Sequence, residues 1–289
     1  MKKIAILLVL VSNLLMAQQF EIKQTVSLPK KLAENSGIIY DNNQIITLND
    51  SKGKNKLYLV NPYTGEITRT VKITNAKNND WEDLAQDDDF IYIADTGNNK
   101  GNRTDLVIYK ISKKQFYTTN EVKAEEIHFS YEDQYIFEKQ HHTTNFDCEA
   151  ITIYHNQLIL FTKNWGDYHT NVYKLPLKPG RHKAVKIHTL AIECLLTSIA
   201  FNNETNEFIG TAYDRNYSSY LVRIHDFYSA SQNIEKIDLT HYFGQANQVE
   251  AITWKNKNEI FISRERLHKK IGNTKFSHNE KLYLLNLND

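Results

Sequence analysis

Apolar and polar residues alternate through positions 20–28, the two-residue period of a half-buried strand. From Ser36 onward, short apolar runs return in sets, separated by polar turn residues. The first set predicts strands at 36–40, 44–48, 57–60 and 67–73, with the turn Asn61-Pro62-Tyr63-Thr64-Gly65 before the last. The second predicts strands at 82–85, 90–94, 106–111 and 126–130. The third covers 149–154, 158–162, 172–175 and 185–190, and the fourth 197–201, 208–212, 220–224 and 234–239. The fifth has only 250–254, 260–263 and 281–287, so it lacks an outer strand.

A repeat of about fifty residues with four strands per copy predicts an all-β chain folded as a β-propeller. Five four-stranded blades follow from the count. Six is the alternative, if residues 112–145 hide a further irregular unit. The strand at 20–28 has no partner near it, and the fifth unit lacks one. The expectation is that the N-terminal strand completes the last blade, which closes the ring and covers an edge.

Aligning the units produces two polar columns. Ser36, Glu82, Glu149, Thr197 and Glu250 open the inner strands. Asp50, Asp95, Asn164, Asp214 and Glu265 follow the next strands, 13 to 17 residues later. A strand that starts and a neighbour that ends at the same rim place both columns at one mouth of the central channel. Glu82 and Asp95 should then lie side by side, with Asp80, Asp83 and Asp147 adding carboxylate nearby. The pleat predicts that Glu82, Glu149 and Glu250 point toward one another around the axis. Carboxylates gathered this way repel, and burial raises the cost. A bound cation, basic neighbours such as Lys163, Arg215 and Arg264, water, or proton uptake would offset it. Oxygen-only donors suit Ca²⁺, with Glu82, Glu149 and Glu250 as candidate ligands. The alternative is that these side chains only bond backbone groups and fix the blades.

The 289 residues carry a formal net charge of +1, which gives no electrostatic reason to expect nucleic acid or an anionic membrane surface. Lys2-Lys3, the apolar stretch from 4 to 15 and Met16-Ala17 read as a signal peptide ending at Ala17. The expectation is an exported single domain over 18–289, periplasmic or released, acting as a monomer without a stable membrane insertion. Cys148 and Cys194 are the only cysteines; they form either a disulfide between adjacent blades or two buried thiols. His141-His142 reads as exposed loop, and Trp81, Trp165 and Trp254 as blade packing. No nucleophile elbow, phosphate-binding loop, dinucleotide fingerprint or zinc spacing occurs.

The runs Ser36-Gly37, Leu48-Asn49-Asp50-Ser51, Asp80-Trp81-Glu82-Asp83-Leu84-Ala85, Ile93-Ala94-Asp95-Thr96-Gly97-Asn98-Asn99 and Asp147-Cys148-Glu149-Ala150 resemble those of a group of bacterial secreted β-propellers. Glu149-Ala150-Ile151 and Glu250-Ala251-Ile252 are more loosely similar to the SdiA-regulated and esterase-like phytase propellers. The resemblance spans most of 34–265 and implies a propeller with acidic channel residues and, in some members, bound calcium. The chain departs from the group's wording at Asn98, where it has a second Asp, and at Lys52, where it has Gly.

Two readings of function from different classes follow, beside a purely structural scaffold. One is a non-enzymatic protein that binds a ligand, metal or protein partner at its acidic mouth. The other is a Ca²⁺-dependent hydrolase of phosphate esters, with Glu82 or Glu149 activating water. A phosphate-handling site normally brings several converging cations. Few are available here, so the binding reading ranks first.

Overall fold

The computed structural model describes residues 19–50, 54–229 and 233–288. The stretch expected to be a signal peptide and Lys52 lie outside the described residues. The apolar runs form β1 (Phe20–Ser27), β2 (Asn35–Asp41), β3 (Gln44–Asn49), β4 (Lys56–Val60), β5 (Ile67–Ile73), β6 (Trp81–Gln86), β7 (Phe90–Asp95) and β8 (Val107–Ser112). After the short helix α1 (Lys113–Thr118) come β9 (Glu121–Val122), β10 (Glu125–Tyr131), β11 (Cys148–Tyr154), β12 (Gln157–Thr162), β13 (Thr170–Pro176) and β14 (Gly180–Leu190). Then follow β15 (Leu195–Asn202), β16 (Glu207–Tyr213), β17 (Ser219–His225), β18 (Asn233–Asp238) and the single turn α2 (Thr240–Phe243). The last strands are β19 (Val249–Trp254), β20 (Glu259–Arg264), β21 (Leu267–Ile271), β22 (Thr274–His278) and β23 (Lys281–Leu287).

Antiparallel pairing gives the meanders β2-β3-β4-β5, β6-β7-β8-β10, β11-β12-β13-β14 and β15-β16-β17-β18. In the fourth-strand position of the last group, β1 pairs antiparallel with β23, giving the order β1-β23-β20-β19. The N-terminal strand therefore covers the C-terminal edge, as the missing strand required. The inner strands β2, β6, β11, β15 and β19 lie against one another in that order, and β19 returns to β2. The fold is all-β and propeller-like.

Packing explains why these strands are apolar on both faces. Ile46, Leu57 and Val71 meet Trp81, Ile91 and Ile93, while Ala85, Tyr92 and Ile108 on the other face of the second sheet meet Ile151, Leu158 and Tyr173. Further clusters join the third and fourth groups and the fourth and fifth. Ile38, Ile45 and Tyr58 of the first meet Phe261, Leu282 and Leu284 of the last. Each sheet is thus buried between two others, and removal of this apolar surface from water holds the ring together.

Two features depart from the sequence expectation, and two more bear on alternatives it left open. Strand β14 begins earlier than expected, and its first half pairs parallel with β10, fusing two meanders into an eight-stranded sheet. The connection at 112–145 holds α1, β9, β10 and turns, with no extra four-stranded unit among the described residues. A two-stranded hairpin, β21-β22, stands between β20 and β23. The cysteines are both free and buried. Cys148 packs between the second and third sheets and Cys194 between the third and fourth, so the third sheet separates them.

Candidate functional site: the acidic end of the inner strands

Every inner strand begins with a register skip. The ladder partners step from Asn35 to Ile38, Trp81 to Leu84, Cys148 to Ala150, Leu196 to Ser198 and Val249 to Ala251. The skipped residues include Ser36, Glu82, Glu149, Thr197 and Glu250, the whole first column. A bulge leaves its residue out of the ladder and re-aims its side chain. The direction of these residues is therefore set by the bulge, and pleat parity does not govern it.

Re-aimed in this way, Glu82, Glu149 and Glu250 are buried, with Glu149 acting on Glu82 and Glu250 on Glu149. Burial pushes the Glu82 carboxyl well above its ordinary value, with Glu149, Asp50, Asp80 and Asp147 adding to the shift. Glu149 is raised by burial, opposed by Lys163 and reinforced by Asp147, Glu250 and Asp50. Glu250 is raised by burial, while Lys163 and a hydrogen bond from Gln248 Nε2 at 3.1 Å pull it back. Burial, Glu250 and Asp50 push Glu265 up to about 9. Lys163 Nζ sits 3.1 Å from Glu149 Oε2. It also lies over the rings of Trp165 and Tyr213, at 5.1 and 5.2 Å. Oxygens of Asp50, Asp80 and Glu82 lie within 4.8 Å of one another. Glu149 and Glu250 are not members of that group. Gly97 borders it so closely that a β-carbon there would stand 2.0 Å from Glu82 Oε1 and 2.5 Å from Asp80 Oδ2.

The second column divides. Asp50 and Glu265 share the field of the glutamates. Asp95 turns away from Glu82: it accepts from Arg103 Nη2 at 3.0 Å and from the Asp80 backbone N–H at 3.2 Å. Asn164 bonds Thr162 and Asp167, and Asp214 caps its own turn by accepting from the N–H groups of Asn216 and Ser218. Ser36 and Thr197 donate to the carbonyls of Glu82 and Val249 in the next unit. These two match the backbone-fixing reading. Arg264 donates to the Asn279 carbonyl.

Asp83 belongs to a different layer. Its carboxylate accepts from the Ile151 N–H at 2.9 Å and from Ser198 Oγ at 3.2 Å, and Ser198 Oγ in turn accepts from the Ile252 N–H at 3.3 Å. Gly37 is pressed against the Asp83–Leu84 backbone, 2.4 Å from Leu84 N at its notional β-carbon. Asp83 and Ser198 thus tie four inner strands together, with the first in contact. Burial pushes its carboxyl up, and the surrounding donors pull it back.

Three features have no counterpart in the pattern of the sequence. Tyr213 and Gln248 belong to the acidic end, but neither falls in a column. A cavity of about 570 Å³ opens at the other end of the inner strands, lined by Ile39, Leu84, Thr152, Ile199 and Thr253. A second cavity, of about 280 Å³, lies beside the acidic end.

No known protein family matches the chain, and no curated protein matches it. Solved structures similar to it include a luciferin-regenerating enzyme, with a TM-score of 0.46 and 7% identity, covering 91% of this chain and 95% of that one. U3-55K aligns with a TM-score of 0.41 and 8% identity, over 86% of this chain and 67% of that one. A chain of the mitotic checkpoint complex aligns with a TM-score of 0.39 and 11% identity, over 87% and 61%. At these scores the fold assignment rests on the strand order itself.

Proposed function

We propose that the five meanders are the blades of one closed propeller, that the protein is exported, and that its acidic end binds a divalent cation, calcium by the character of its donors. The observation that carries this reading is the group Asp50, Asp80 and Glu82, whose oxygens lie within 4.8 Å of one another. The donor set is oxygen only, as calcium requires. The charge balance points the same way. Lys163 is paired with Glu149, and Arg103 with Asp95 and Asp105. The carboxyls around Glu82 retain raised proton affinities despite those cations. A cation held by Asp50, Asp80 and Glu82 would relieve that repulsion, and Gly97 leaves the space a side chain would fill.

Binding is favoured over phosphate-ester hydrolysis because Lys163, Arg103 and Arg264 are already engaged. Metal analysis of protein purified without chelator tests the reading, paired with a screen against phosphate monoesters and diesters. Co-purifying or re-addable calcium without turnover supports a binding protein. Turnover that needs calcium supports the hydrolase. Protein that neither retains nor responds to calcium removes both.

A further inference from the structure

Beside the acidic end, a cavity of about 280 Å³ is lined by the rings of His142, Trp165, Tyr168, Tyr213 and Tyr217, by Arg215 and Lys269, and by Asp214, whose carboxylate accepts from the Asn216 and Ser218 N–H groups. The cations reach it from separate segments: Arg215 from the turn after β16, Lys269 from the β21-β22 hairpin. Each is held against a tyrosine. The Arg215 guanidinium lies 4.2 Å from the centre of the Tyr168 ring. Lys269 Nζ lies 4.1 Å from that of Tyr217 and donates to its hydroxyl at 2.9 Å. Neither forms an ion pair with a carboxylate among the described residues, although the chain is rich in them. A guanidinium stacked on a ring keeps its edge donors free for a planar anion.

The backbone points the same way. His142, Tyr168 and Tyr217 all adopt left-handed conformations, with φ of 50°, 62° and 60°. Bulky residues rarely do this, and such strain persists only where surrounding structure imposes it. Here the N–H groups of Cys194 and Ala246 donate to the carbonyls of Tyr168 and Tyr217 and hold both in place. Each strained residue carries a ring that lines the same cavity.

We propose that this cavity binds a small ring-bearing carboxylate, with the ring against Trp165, Tyr213 and Tyr217 and the carboxylate on Arg215 and Lys269. Its volume is at the small end for ligand pockets, which fits a single ring. The site stands apart from the cation group and does not depend on it.

The test is a titration followed by tryptophan fluorescence, run in a chelator so that it reads the cavity alone. Phenylacetate and glucuronate are the probes, with 2-phenylethanol and glucose as their neutral counterparts. Saturable binding of either acid, at least about tenfold tighter than its neutral counterpart, supports the site. Which acid responds separates an aromatic source from a sugar acid. Arg215→Ala and Lys269→Ala should each weaken binding about tenfold with unchanged melting, because both side chains are exposed. Tyr168→Asn tolerates the left-handed backbone; it should weaken binding without lowering the melting temperature. The proposal is overturned if neither acid binds at millimolar concentration, if the neutral compounds bind as well, or if Arg215→Ala leaves affinity unchanged.

Discussion

Glu82 and Asp83 are adjacent in one bulge and have opposite fates. Glu82 joins a field of like charge; Asp83 accepts from donors on two other strands. Asp83→Asn leaves one oxygen to accept and sets an NH₂ group against backbone N–H donors. It should cost about 2–3 kcal/mol of unfolding free energy, measured by urea denaturation, because a buried donor without an acceptor carries its full desolvation penalty. The glutamates give a pH dependence of defined sign. Glu82, Glu149, Glu250 and Glu265 all bind protons more tightly folded than unfolded, Glu265 at about 9. Their stabilising contribution is complete below the ordinary glutamate value and is lost as pH rises toward 9. Unfolding free energy measured in a chelator should therefore fall between pH 5 and pH 9, and saturating calcium should flatten that fall. An unchanged slope with calcium would place the ion elsewhere. The glutamate column was legible in the sequence because its residues recur in register. The turning away of Asp95, Asn164 and Asp214 was not, because each is captured by a local turn or a nearby arginine that the alignment does not weigh.

At the scale of elements, strands buried on both faces announce themselves as apolar runs, and these were read nearly to their ends. Those that escaped are polar or short. The hairpin's Leu267-His268-Lys269-Lys270 and the start of β14, Gly180-Arg181-His182-Lys183, carry no apolar period, and β9 has two residues. Their pairing is decided by neighbouring edges. The bulges also left no period, although the recurring Glu before a small residue and Ile marks two of them in retrospect. Strand β1 is the element on which closure rests. Its removal would strip the outer edge of β23 and take Phe20 from the cluster that holds Tyr283, Leu285 and Leu287. The truncated protein should melt well below the full chain and aggregate, as an uncovered edge invites pairing between chains. A monomeric truncation with unchanged melting, seen by size-exclusion chromatography and thermal scanning, would contradict this role.

For the whole molecule, one arrangement accounts for both fold and site. Five bulged strands, packed side by side in a closed circuit, deliver their first residues to a common end. Two hydroxyls there lock neighbouring units together, and the carboxylates gather where no strand alone would tolerate them. The period made the circuit legible. The cation group was not, because Asp50, Asp80 and Glu82 come from two units and only the folded ring sets their spacing. The most direct test of the account is a calorimetric titration of chelator-stripped protein with CaCl₂, beside Glu82→Gln and Asp80→Asn. The wild-type protein should bind saturably, either variant should lose most of that heat, and the melting temperature should rise by a few degrees at saturation. No binding at millimolar calcium, or equal binding by all three proteins, would contradict it.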